Sequence, residues 1–121
     1  MRLEPKSKLT DSSALYEMRA AICRALGHPV RLAILDLLAE GEVSNADLLA
    51  ALGVSKVNLS QHLAVMKAAG LVESRQQGRQ VIHRLAFTEI RAACQMIRNV
   101  LVQRLKQGSA IAEGLARPES S

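Results

Sequence analysis

Between Ser44 and Leu85 the spacing of apolar residues changes once, from a period of three to four to a period of two, and glycines mark the breaks. Ser44 is placed to cap a helix, with Asp47 at the position of a capping-box acid. That helix carries Leu48, Leu49 and Leu52 and stops at Gly53. After the turn Gly53-Val54, Ser55 can cap a second helix running to about Ala69, with its stripe at Leu59, Leu63 and Met66. Gly70 ends it. Leu71–Arg75 and Gln80–Leu85 then read as short strands around the polar, glycine-bearing loop Gln76-Gln77-Gly78-Arg79. Two short helices joined by a tight turn and followed by a hairpin form a helix-turn-helix with a wing.

The flanking segments fit the same plan. From Ser12 to Leu26, the residues Leu15, Met18, Ile22 and Leu26 recur at helical spacing. Gly27 stops that helix, and Pro29 sits where a first helical turn accepts proline. Val30–Ala39 is apolar around most of its circumference (Leu32, Ile34, Leu35, Leu37, Leu38), which marks a helix buried on more than one side. After the hairpin, Thr88 is placed to cap a long last helix. Its Ile90, Cys94, Ile97, Leu101 and Leu105 approach a heptad seam. This seam and the Leu15/Met18/Ile22 stripe serve either the monomer's own packing or a second copy of the chain. The expected fold is mainly α with a small β-hairpin (an α+β chain): a winged helix-turn-helix of about five helices plus a two-stranded wing. The expected organisation is a flexible leader over 1–11, one winged-helix domain over 12–107, and a flexible tail over 108–121.

Composition narrows the function. Hydrophobic residues are 49% of the 121, enough for a packed core. Aromatics are 2%, one Tyr and one Phe without Trp, which argues against stacking platforms for single-stranded nucleic acid or cation cages. No stretch approaches the ~20 apolar residues of a membrane span. The polar start of the chain has no secretory core, and two cysteines are too few for a disulfide scaffold. A cytoplasmic protein with reduced thiols is expected, with no membrane partner.

The net charge of +5 is unevenly placed. Residues 1–60 hold seven Lys/Arg and seven Asp/Glu; residues 61–121 hold nine and four. From Lys56 to Arg84 the cations are Lys56, Lys67, Arg75, Arg79 and Arg84, against Glu73 alone, so this span carries +4. The excess coincides with the helix-turn-helix and wing, and a clustered basic surface suits a polyanion. Facing away from Leu59, Leu63 and Met66 are Ser55, Lys56, Asn58, Ser60, Gln61 and Lys67, with no carboxylate among them. Amides read adenine edges, and hydroxyls bind bases or phosphates. Arg79, beside Gly78 at the loop tip, is placed to reach phosphate or the minor groove, and Arg75 adds charge to the wing. His62 either contacts phosphate or bridges helix and wing; His83, on a wing strand, reads as structural. Double-stranded operator DNA is the expected partner. A winged module that binds protein instead is the alternative, and salt dependence separates the two. Nothing suggests an enzyme: there is no Gly-x-Ser-x-Gly elbow, phosphate-binding glycine loop or clustered His/Asp/Glu set.

The run from Ala25 to Leu85 closely resembles the ArsR/SmtB family of bacterial winged-helix repressors. The matching residues are Leu26-Gly27-His28-Pro29-Val30-Arg31-Leu32, Ser55 with Ser60-Gln61-His62-Leu63, Gly70-Leu71-Val72 and Gly78-Arg79. They cover about half the chain. The resemblance implies an obligate homodimer with the first and last helices at its interface (Leu15, Met18, Ile22, Ile90, Ile97 and Leu101). It also implies repression until a small inducer binds. Members that hold soft metals or arsenite on the third helix carry Cys-x-Cys there; this chain has Ser44-Asn45-Ala46. Members that bind zinc on the last helix use Asp and His, and Glu89–Lys106 contains neither. No cofactor and no resident metal are expected. Some relatives join an early cysteine to one on the last helix when they meet reactive sulfur or oxidants. Here Cys23 and Cys94 are the candidates, although those relatives carry the early cysteine in the helix after His28-Pro29. A thiol pair sensing reactive sulfur or oxidants, arsenite or a thiophilic metal held by the same cysteines, and purely structural thiols all stay open.

Overall fold

The structure, a computed structural model, describes the backbone over residues 7–108 and side chains over 12–108. Its elements are α1 (Ser7–Ala25), α2 (Pro29–Ala39), β1 (Val43–Ser44), α3 (Asn45–Leu52), α4 (Lys56–Ala68), β2 (Val72–Gln77), β3 (Gln80–Leu85) and α5 (Glu89–Gly108). The five helices follow the expected order. The first begins at Ser7, five residues ahead of Ser12, so the leader expected over 1–11 is helical from Ser7 on; residues 1–6 lie outside the described residues. Of the expected tail, Gly108 closes α5, and 109–121 lie outside them too. The chain divides into two compact units, Met1–Phe87 and Thr88–Ser121, inside the span expected to form one domain.

Local chemistry sets the boundaries in the first unit. His28, extended at φ −145°, caps α2: its Nδ1 accepts the Val30 N–H at 3.0 Å, and Pro29 takes the first turn. Ser44 caps α3 by accepting the Asp47 N–H at 3.1 Å, and Ser55 caps α4 by accepting the Asn58 N–H at 3.0 Å. Between α3 and α4, Gly53 adopts φ 67° and gives its N–H to the Leu49 carbonyl at 2.9 Å. A Cβ in that left-handed conformation is strained, so glycine permits the sharp turn. Thr88 does not cap α5 with its side chain as expected. Its carbonyl accepts the Arg91 N–H, while its hydroxyl points to Glu89.

The expected two-stranded wing is part of a three-stranded antiparallel sheet in the order β1-β3-β2. Val43 pairs with His83 and Ser44 with Ile82. Two residues leave no alternating pattern to read, and their pairing comes from a distant strand, so sequence periodicity did not show β1. The β2–β3 hairpin pairs Val72 with Leu85 through to Gln77 with Gln80. The loop is therefore Gly78-Arg79, two residues shorter than expected, with Gly78 at φ 64°.

The core of the first unit holds Ala25, Ile34, Leu35, Leu38, Leu48, Leu59, Leu63, Met66, Leu71, Val72 and Ile82. All three stripe residues of α4 are in it. The helix is thereby fixed in rotation, and its polar side is turned to solvent.

Candidate nucleic-acid interface

Ser55, Lys56, Asn58, Ser60, Gln61 and Lys67 are all exposed, as expected of a reading face, while Leu59, Leu63 and Met66 lie beneath them. The face also contains Val57, which reading only the polar residues passed over; its side chain is 66% exposed.

His62 is half-buried and turned aside. It does not bridge to the wing. Its Nδ1 accepts from Arg31 Nη1 at 3.2 Å, and its ring lies 4.4 Å from that of His28, tilted by 50°. Arginine has only donors, so this Nδ1 must be unprotonated. Burial first, then the neighbouring His28 and Arg31 charges, hold the His62 pKa below its ordinary value. Arg31 has two further bonds: Nε donates to the Ala25 carbonyl at 2.6 Å and Nη2 to the Arg24 carbonyl at 3.1 Å. One guanidinium thus ties the last turn of α1 to the middle of α4. The Leu26–Leu32 signature contains both His28 and Arg31, but sequence alone does not pair them with His62.

His83 is structural, as expected, and is 2% exposed. Its Nε2 bonds Asn45 Oδ1 at 2.9 Å, and its Nδ1 lies 2.6 Å from the Ser74 hydroxyl. With Nε2–H donating, the neutral ring joins β3 to α3 and β2 with both nitrogens satisfied. Burial, then the Lys67 charge, lowers its pKa from the ordinary 6.5. Below about pH 6.5 the unfolded chain takes up protons that His83 and His62 resist, so stability is full above that pH and is lost as pH falls through their folded pKa values. The urea midpoint is expected to fall between about pH 8 and pH 5, with a shallower fall in His83→Gln. A midpoint that stays level or rises on acidification contradicts the assignment.

The cations between Lys56 and Arg84 divide in two. Arg75 was read as part of the interface, but it reaches across the sheet to Glu42, just ahead of β1, in a two-pronged ion pair at 2.8 and 2.8 Å, and donates to Gln77. Arg75 holds the Glu42 carboxyl below its usual range, chiefly through that hydrogen bond. Arg84 pairs with Glu73 at 2.7 Å. By contrast, no carboxylate among the described residues pairs with Lys56, Lys67 or Arg79. Arg79 sits at the exposed hairpin tip, where Gln76 braces the loop by donating to the Gly78 carbonyl at 2.9 Å.

The effector candidates are both helical. Cys23 is exposed near the end of α1, and Cys94 is half-buried on α5; neither is in a disulfide. Of the expected interface residues, Leu15, Met18 and Ile22 on α1 are exposed, as are Ile97 and Leu101 on α5, with Ile90 half-buried. No residue of α5 is buried, and Met96 and Val100 join Ile97 and Leu101 in an apolar stripe exposed by 49% to 68%.

A family described as bacterial regulatory protein, arsR family, matches residues 28–74. The uncharacterized HTH-type transcriptional regulator Rv0081 of Mycobacterium tuberculosis is 36% identical over 106 residues, 87% of this chain and 93% of its own. This chain belongs to the arsR family. The crystal structure of Rv0081 superposes with a TM-score of 0.72 over 77% of this chain and 94% of that one. Mb0332 of Mycobacterium bovis, a homodimeric winged helix-turn-helix DNA-binding domain, gives 0.75 at 30% identity over 88% and 95%. The biofilm growth-associated repressor of Xylella fastidiosa is 40% identical over 74 residues, 61% of this chain and 63% of its own. The arsR match takes in the His28–Arg31–His62 cluster and all of α4, and it ends in β2, ahead of Arg79.

Proposed function

We propose that this arsR-family chain is a homodimeric, sequence-specific repressor that binds double-stranded operator DNA and is released by modification of Cys23 and Cys94. The observation that carries the DNA reading is α4: its rotation is locked by three core residues, and its outer face is exposed and free of carboxylates. Ser55, Lys56, Asn58, Ser60 and Gln61 lie near its N-terminal end, the end that such a helix places in the major groove. Lys67 and Arg79 supply phosphate contacts. Arg75 enters that set only by leaving Glu42. On α1 and on α5, exposed apolar residues are each available to a second copy of the chain, and a two-fold dimer sets two reading helices about one DNA turn apart.

An exposed thiol suits a sensor, and Cys23 offers one next to Arg24, whose carbonyl Arg31 holds. An adduct there acts on the turn that Arg31 links to His62 in α4. If an oxidant takes two electrons, and two protons leave, the thiols become a disulfide; a persulfide donor can insert its sulfane sulfur into that link, its own S–S bond breaking and the remainder leaving as a thiol.

A gel shift on the operator decides between triggers. The reduced protein is expected to bind, and treatment with diamide or a persulfide donor to release it, with both responses absent from Cys23→Ser and Cys94→Ser. Release by arsenite alone favours the thiophilic-ligand reading. Release that survives both substitutions removes the cysteines from the mechanism.

A further inference from the structure

At 100° per residue, the outward centre of α4, opposite Leu59, Leu63 and Met66, is occupied by Val57, Gln61, Ala64 and Ala68. All four are exposed. Val57 and Gln61 are one turn apart, about 40° around the axis and about 6 Å along it. Val57 is an unexpected residue for that place. A β-branched side chain is a mediocre helix former, and one that is 66% exposed gains little from burial. The fold gives no reason for it. Its neighbours Ser55, Lys56, Asn58, Ser60 and Gln61 are polar or cationic, within a span carrying +4, which fits a polyanion and not an apolar protein partner.

We propose that Val57 is a specificity-determining residue that packs against the C5-methyl group of a thymine in the major groove. The proposal rests on the reading of α4 as the recognition helix. Thymine is the base that presents an apolar group in that groove, and an aliphatic side chain is its complement. Gln61 pairs through its amide with an adenine edge. The separation along the helix puts the two bases within about two base-pair steps. Ala64 and Ala68, further along the same line, are small enough to let the helix axis lie close to the groove floor.

The test uses the full chain and the duplexes that it enriches from a random library. Each thymine of an enriched site is replaced in turn by deoxyuridine, which removes the methyl group and leaves the hydrogen-bonding edge. One position per half-site is expected to weaken binding by about fourfold, the value of one buried methyl-sized group. Val57→Ala is expected to bind the thymine and uracil forms equally, and Val57→Ile to keep the preference. Val57 is exposed and alanine favours helix, so folding is not at risk; circular dichroism confirms it. If no position distinguishes thymine from uracil, or if Val57→Ala keeps the distinction, the Val57 assignment is overturned while DNA binding stands. If no duplex is enriched, the recognition-helix reading falls and takes this inference with it.

Discussion

Replacing Ile97 and Leu101 together with glutamate is expected to leave a monomer whose operator affinity is lower by roughly a hundredfold or more. The two residues lie four apart on one face of α5 and are about half exposed in the single chain. Glutamate is a good helix former, so the helix itself should persist. Across a two-fold axis the same patch meets itself, and four carboxylates then face one another in an apolar seam. Burying unpaired charge there costs several kcal/mol. Loss of the dimer removes the second reading helix. Linked binding sites commonly contribute a factor of ~10² to 10⁴. Sedimentation equilibrium and a gel shift measure the two effects separately. A double variant that remains dimeric and binds as before would place the seam elsewhere, with Leu15 and Met18 the next residues to change.

Two positions of α4 that sit on opposite faces give the second large effect. Leu59 is 1% exposed, and Leu59→Ala is expected to lower the unfolding free energy by about 3 kcal/mol, the lost transfer energy plus the cavity left behind. That is a large part of the 5–15 kcal/mol typical of a small domain. Gln61→Ala, two residues on, should change stability by less than about 0.5 kcal/mol and relax sequence preference instead. Urea unfolding and binding to matched and mismatched duplexes report these in turn. A cost under about 1 kcal/mol for Leu59→Ala is incompatible with its place in the core.

Several features were legible in the chain itself for definite physical reasons. Ser44 and Ser55 are side-chain caps, which act within three residues and so leave a local signature. Leu59, Leu63 and Met66 repeat at the helical period and are all buried. Long-range features had no such signature. The ion pair of Arg75 with Glu42 spans 33 positions, the contact of Arg31 with His62 spans 31, and that of His83 with Asn45 spans 38. Each depends on where the fold brings distant segments together. Arg75 therefore read as a free wing cation until its partner was seen. Of the two roles open to His62, phosphate contact or a bridge to the wing, the bridge is not formed, and its ring bonds Arg31 at the start of α2 instead. Val57 was visible on a helical wheel, but an apolar residue on a polar face does not resemble a nucleic-acid contact until its exposure is known.

The paired wing arginines have a consequence for how a DNA-binding dimer of this chain would respond to its medium. Each cation that neutralises a phosphate releases condensed counterions, and the number of such contacts sets how steeply affinity falls with added salt. Arg75 and Arg84 already neutralise Glu42 and Glu73, so they have little charge to exchange with a phosphate. Of the five cations that the sequence shows between Lys56 and Arg84, Lys56, Lys67 and Arg79 are the three per protomer not already held by a carboxylate among the described residues. Operator occupancy would then depend less on ionic strength and more on the hydrogen bonds and close packing of α4, so osmotic swings would disturb it less than they would a more basic protein.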